Sequence, residues 1–176
     1  MKVLICNVGS AISQGLEADS AVYRKYYGTV DSQSVRGKSE LLSALESGSD
    51  IVHMFSRCSP DGVLSDLEEG TADGTDLIRA CVKYGTKLLW IATANDSSCY
   101  IKGFRAKGSP LNLIMTLNRR GDRFPDFLDR LLSRVSSGEK LPQAWMALAP
   151  QKGGPPTSDL PDCIFFAPGP PLSLKR

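Results

Sequence analysis

Short apolar runs alternate with amphipathic segments along most of this chain. Buried strands are predicted where the apolar run is nearly continuous, at residues 3–8, 51–55, 87–93 and 111–117, with a weaker strand at 29–35 and a last one at 163–167. Helical spacing predicts helices at 16–27, 38–46, 76–84 and 97–104, near 142, and from Phe124 to Val135, where six large apolar residues share one face. In the first helix, Ala18, Ala21, Val22 and Tyr26 are expected to face inward.

Strands that are apolar on both faces and alternate with helices are typical of parallel sheets covered on both sides. We therefore predict an α/β fold, a three-layer sandwich with a mostly parallel sheet and helices on both faces. Residues 1–150 form the α/β domain, 151–162 a Pro/Gly-rich linker, and 163–176 a closing strand and tail.

Composition excludes several function classes. The 176 residues are 41% hydrophobic and carry a net charge of +2, which gives no global attraction to nucleic acid. No apolar run reaches the length of a membrane span. The five cysteines are far apart and never spaced as C-x-x-C, so neither a disulfide framework nor a zinc site is indicated. We expect a cytoplasmic protein with no cofactor and no metal.

His53 is the only histidine, so any serine- or cysteine-based nucleophilic mechanism that uses histidine must use this residue. It stands inside the apolar run 51–55, where a packed core histidine is the more common arrangement. The catalytic alternative pairs His53 with Cys58 or Cys99, which follow neighbouring strands.

Loops at the carboxyl ends of the strands are where ligands bind in open α/β sheets. The loop from Gly9 to Gly15 allows a flavodoxin- or Rossmann-like nucleotide site, although neither phosphate-binding fingerprint is present. Two other groups of loops are charged. A solvated rim is the simpler interpretation, and a polarised docking surface for a protein partner is the functional one. That surface comprises Asp61, Asp66, Glu68 and Glu69 beside Lys102, Arg105, Arg119 and Arg120.

Residues from about 50 to 167 resemble the CHAT domain, which has the fold of the caspase-like cysteine peptidases. The resemblance is carried by DIVHMFSRCSPDG, DGTDLIRACVKYG, KLLWIATANDSS, the segment from SPLNLIMTLNRR through QAWMALA, and CIFFAPG. It implies a catalytic histidine at the position of Arg57 and a cysteine nucleophile at that of Ala94. His53 matches an earlier, non-catalytic histidine of the family pattern.

An arginine cannot deprotonate a thiol at neutral pH, and alanine has no nucleophile. The resemblance therefore implies a catalytically inactive caspase-like domain that acts as a protein-interaction or regulatory subunit, with a bacterial defence or signalling assembly as its context. The alternatives are a cysteine peptidase with a displaced dyad and the nucleotide binder. We expect a protein partner, no nucleic acid and no membrane, and the sequence leaves the oligomeric state open.

Overall fold

The computed structural model describes residues 1–9, 13–93, 111–117, 124–148, 163–167 and 174. In these ranges the strands are β1 (Lys2–Val8), β2 (Thr29–Val35), β3 (Ile51–Phe55), β4 (Leu88–Thr93), β5 (Asn112–Leu117) and β6 (Cys163–Ala167). The helices are α1 (Ser13–Tyr26), α2 (Lys38–Glu46), α3 (Gly74–Lys83), α4 (Phe124–Ser136) and α5 (Leu141–Leu148).

The strands form one sheet in the order β2-β1-β3-β4-β5-β6. The first five are parallel to one another, and β6 runs antiparallel to β5. The mostly parallel sheet is thus confirmed, and the closing strand predicted at 163–167 completes it. The helix expected at 97–104 and the linker at 151–162 lie outside the described residues.

The sheet separates two hydrophobic cores. Alternate residues of the central strands face opposite sides, so Val52 and Met54 pack toward α2 and α3 while Ile51 and Phe55 pack toward α1, α4 and α5. We call these the α2/α3 core and the α1/α4/α5 core. All five residues of β3 are buried, which explains why its sequence is apolar without alternation. The three layers with helices on both faces are confirmed.

Large aromatic side chains concentrate in the α1/α4/α5 core. The Trp90 and Trp145 ring centroids are 5.7 Å apart, and Phe127 meets Trp145 edge to face at 4.8 Å. The α4 stripe predicted from Phe124 to Val135 is buried throughout. The helix predicted from Phe124 to Val135 therefore packs against this group of aromatic rings.

The inward face of α1 differs from the sequence prediction. Ala21 is exposed and Ala18 half-buried, whereas Asp19, Ser20 and Tyr23 are buried together with Val22. The helix is turned so that the large Tyr23 ring, rather than two alanines, fills the space against the sheet. Ser20 tolerates this burial because its hydroxyl donates to the Leu16 carbonyl at 2.6 Å.

Candidate functional site

The carboxyl ends of β3 and β4 meet at one edge of the sheet. Ser56, the first residue after β3, is fully buried, and its N–H donates to the Ala92 carbonyl at 3.1 Å, which joins the turn to β4. Its hydroxyl donates to the Arg57 carbonyl at 3.0 Å. Arg57 follows with an exposed side chain, and its backbone N–H donates to Asp66 Oδ2 at 3.0 Å. Arg57 is therefore the first side chain that β3 presents to solvent at this edge.

His53 lies inside the protein, within β3 and away from this edge. Its side chain is 0% exposed. The imidazole stacks on Trp90 with ring centroids 4.8 Å apart, lies 5.0 Å from the Phe55 ring and meets Tyr23 edge to face. These contacts place His53 in the α1/α4/α5 core, as the strand-interior interpretation expected.

Asp19 faces His53 from α1. Asp19 Oδ2 is 3.9 Å from His53 Nε2, and both side chains are fully buried. That separation exceeds a hydrogen bond but is within ion-pair range. Burial, with the nearby Asp19 charge adding to it, raises the pKa of Tyr23 well above its ordinary value. The three side chains form a polar cluster inside an otherwise apolar core.

Cys6, Cys58 and Cys81, the cysteines whose side chains the structure describes, all pack on the α2/α3 side of the sheet, opposite His53. Cys58 packs in the α2/α3 core, so the sheet lies between it and the imidazole. This placement argues against the His53–Cys58 pair. Burial raises the pKa of Cys6 and of Cys81 to about 12, which keeps both thiols protonated at neutral pH. Cys99 and Ala94 lie outside the described residues.

Gly9 is a packing glycine. Its N–H donates to the Val35 carbonyl at 2.8 Å and is therefore already used. A Cβ added at Gly9 would lie 2.5 Å from the Asp66 carbonyl oxygen, so the segment that follows β3 packs directly against this glycine. Gly15 is buried within α1, and residues 10–12 are not described. These contacts give Gly9 a packing role, and the nucleotide site considered from the sequence stays a prediction.

The acidic segment between β3 and α3 crosses the ends of β1 and β2. Glu68 N–H donates to the Arg36 carbonyl at 2.7 Å, and Lys38 N–H donates to the Glu69 carbonyl at 2.8 Å. The carboxylates of Asp66, Asp73 and Asp76 bind within the protein: to Arg57 N–H, to the first turn of α3, and to Lys38. Asp61, Glu68 and Glu69 are exposed, and we refer to these three carboxylates as the acidic patch.

The basic half of the expected surface comprises Lys102, Arg105, Arg119 and Arg120, all of which lie outside the described residues. Within the described ranges, His, Cys, Asp and Glu form no group of three or more that could hold a metal ion. No helix in those ranges is long and apolar enough to cross a bilayer.

One solved structure similar to this chain is the crystal structure of caspase-1 from Spodoptera frugiperda. The two share 11% sequence identity with a TM-score of 0.50, over 94% of this chain and 87% of that chain. The fold is caspase-like. No protein-family model and no curated protein matches the sequence. At this identity the likeness concerns the fold alone.

Two residues of the buried polar cluster around His53, namely Asp19 and Tyr23, were not predicted from the sequence. Asp19 and Tyr23 lie one helical turn apart on α1, on the same face as Val22 and Tyr27. The sequence did contain a signal for the burial of Asp19, because the spacing of the aromatic residues in α1 places Asp19 on the same helical face as those residues. Hydrophobic periodicity alone predicts that Asp19 is exposed. It is instead buried, where it faces His53 on the sheet.

Proposed function

We propose that this chain is a catalytically inactive domain of the caspase-like fold that works as a protein-interaction or regulatory subunit. One observation carries the proposal: the single histidine of the chain is fully buried among Tyr23, Phe55 and Trp90. The side chain presented after β3 is instead Arg57. A guanidinium stays protonated at neutral pH and cannot act as the general base for a thiol.

The position of Ala94 supports the same conclusion. It directly follows Thr93, the last residue of β4, and the CHAT resemblance expects the cysteine nucleophile there. On that resemblance, neither the base position after β3 nor the nucleophile position after β4 carries the family's catalytic residue, and we infer a binding role for this edge. The resemblance also suggests a cytoplasmic bacterial defence or signalling assembly as the setting.

The acidic patch gives this binding surface its chemistry. Asp61, Glu68 and Glu69 are exposed on a segment whose backbone is held against Arg36 and Lys38. The backbone of Glu68 and Glu69 is held in this way, and exposed carboxylates attract a basic protein surface and help to orient it, an attraction that salt weakens. We therefore propose a partner with a basic contact surface.

Peptidase assays test the inactive state. We expect no hydrolysis of a panel of fluorogenic peptides and no His53-dependent labelling by thiol-reactive peptide warheads. His53→Phe is the control, because a phenyl ring preserves the stacking on Trp90. Hydrolysis by the natural sequence that disappears in a folded His53→Phe variant would show that the chain is an enzyme.

A gain-of-function pair tests the assigned positions. Introducing Arg57→His together with Ala94→Cys restores a base and a nucleophile at the ends of β3 and β4. We expect the new thiol to react with a peptide warhead faster in the double variant than in Ala94→Cys alone, because a nearby imidazole favours the thiolate. Equal rates would mean that the two positions do not face each other.

The interaction is tested by charge reversal. A partner captured with the natural chain is purified, and its affinity is measured for Glu68→Lys/Glu69→Lys and for the matched control Glu17→Lys/Asp126→Lys, whose exposed residues lie on α1 and α4. We expect at least a tenfold loss of affinity for the first variant only, corresponding to about 1.4 kcal/mol. Equal affinities would remove the acidic patch from the interface.

A further inference from the structure

The outer edge of β2 is open in the part of the chain that the structure describes. β2 is the end strand of the sheet and pairs with β1 over seven consecutive positions, from Thr29 to Val35. Its sequence, TVDSQSV, contains no proline, lysine or arginine, and Asp31 is its one charged residue. Natural edge strands are commonly protected by such residues, by bulges or by a short length. This edge therefore presents a regular row of backbone donors and acceptors.

The register identifies which groups point outward. Gly9 N–H donates to the Val35 carbonyl, so the backbone groups of Val35 face β1. In a parallel ladder, residues facing the neighbouring strand alternate with residues facing away from it. Val30, Ser32 and Ser34 therefore direct their N–H and C=O groups away from the sheet.

A polar groove adjoins β2 on the face of the sheet that α2 covers. It has a volume of about 530 Å³ and lies between β2 and α2, with Gln33 and Val35 on one side and Ser39, Glu40 and Ser43 on the other. Its walls are polar, which suits a strand with side chains such as serine and glutamine. An apolar peptide would leave these walls without hydrogen-bond partners.

We propose that β2 pairs with β2 of a second copy of this chain, antiparallel, about a twofold axis through Ser32. The outward-facing residues are symmetric about that position: Val30 meets Ser34 of the other copy, and Ser32 meets its own counterpart. Each such pair exchanges two backbone hydrogen bonds, about six in total. The two sheets then become one continuous sheet, and the contact is isologous as twofold symmetry requires.

The side chains agree with this register. Between the hydrogen-bonded pairs, Asp31 of each copy lies opposite Gln33 of the other. Within one chain Gln33 Nε2 already donates to Asp31 Oδ2 at 2.7 Å, so both groups lie on the same face and are mutually complementary. No like charges stand opposite each other, which would destabilise a cross-strand pair. This self-complementarity favours a second copy over an unrelated peptide.

The size of the contact sets the expected affinity. Seven strand residues span about 23 Å, and one strand edge buries less than the roughly 1,600 Å² of a standard stable interface. We therefore expect a reversible dimer with a micromolar dissociation constant. The proposal does not depend on the inactive site or the acidic patch and can fail independently of them.

Sedimentation velocity over a concentration series tests the dimer. We expect a monomer–dimer equilibrium that Ser32→Pro abolishes, because proline removes an outward N–H while leaving the pairing with β1 intact. Ser32→Ala keeps the N–H and is the matched control. If Ser32→Pro does not fold, Gln33→Asp replaces it, since it places two carboxylates opposite each other and should weaken the dimer at least tenfold.

Cross-linking tests the axis itself. Residues opposite each other in a hydrogen-bonded pair have Cα atoms about 5.5 Å apart, within disulfide range. Ser32→Cys should therefore form a covalent dimer on oxidation, whereas Ser34→Cys, which lies opposite Val30, should form no more than the natural chain. A chain that stays monomeric, a dimer that persists in folded Ser32→Pro, or equal cross-linking at both positions would each overturn the proposal.

Discussion

Replacing Gly9 with alanine should destabilise the protein more than replacing any glycine that only adopts a left-handed backbone. Gly9 has a φ of +72°, and an added Cβ would lie 2.5 Å from the Asp66 carbonyl oxygen and 2.7 Å from its Cβ. Asp66 cannot retreat freely, because its carboxylate accepts the Arg57 N–H at 3.0 Å. The substitution therefore combines backbone strain with a clash against a fixed loop.

The magnitude follows from these two contributions. The left-handed conformation costs about 1–2 kcal/mol for a residue with a Cβ, and a clash that moves packed groups costs about 1–3 kcal/mol. Gly9→Ala should thus lower the free energy of unfolding by about 2–5 kcal/mol. In a protein of ordinary stability this is a large fraction of the total.

Two other glycines separate the contributions. Gly85 has a φ of +79° with nothing within 4 Å of an added Cβ, so Gly85→Ala should show the backbone strain alone. Gly28 has neither feature, and Gly28→Ala should change stability by less than about 0.5 kcal/mol. Urea unfolding followed by far-ultraviolet circular dichroism gives all three values. If Gly9→Ala costs no more than Gly85→Ala, the loop yields easily and our account of the contact is wrong.

Three further predictions concern the buried cluster and α3. His53→Ala should lower the free energy of unfolding by about 2–5 kcal/mol, because it leaves a cavity beside Trp90, and a thermal melt close to that of the natural chain would contradict this. Asp73→Ala should cost about 1 kcal/mol through loss of the α3 N-cap, while Asp73→Asn keeps an acceptor and should cost less, as chemical denaturation would show. The Lys38 ammonium, by hydrogen bonding, holds the pKa of Asp76 below its ordinary value of 3.8, so the unfolded chain binds more protons in that range. The Lys38–Asp76 pair should therefore stabilise the protein by about 0.2–1 kcal/mol at neutral pH, and this stabilisation should disappear as the pH falls below about 4. A double-mutant cycle with Lys38→Met and Asp76→Asn measures the coupling energy. The same coupling energy at neutral pH and below about pH 4 would refute the prediction.

The contrast between α4 and α1 shows where sequence prediction holds and where it fails. In α4 the large apolar residues from Phe124 to Val135 fall on one face, so periodicity alone identifies the buried side. In α1 the buried side includes Asp19, which faces His53, a residue thirty-four positions later in the sequence. Hydrophobic periodicity cannot predict that the strand carrying His53 packs against this side of α1. The hydrophobic pattern carries no information about such long-range polar pairs.

In the candidate site, too, the sequence predicted the local arrangement but not the long-range contacts. The alternating strands and helices predicted that the ends of β3 and β4 would lie at one edge, and the structure brings Ser56 N–H to the Ala92 carbonyl there. The sequence could not show that the acidic segment folds back over Gly9, because strand order decides which ends it crosses. Two of its carboxylates, those of Asp66 and Asp73, consequently bind within the protein instead of facing a partner.

The aromatic packing described above determines what an optical experiment on this protein can detect. Both tryptophans of the chain, Trp90 and Trp145, lie on the α1/α4/α5 side of the sheet. Tryptophan fluorescence therefore reports mainly on packing in this layer, because neither tryptophan lies on the α2/α3 side of the sheet. Fluorescence and circular dichroism should give coincident transitions if the two layers unfold together. A midpoint that differs between the two signals would mean that the sheet divides the molecule into units of unequal stability.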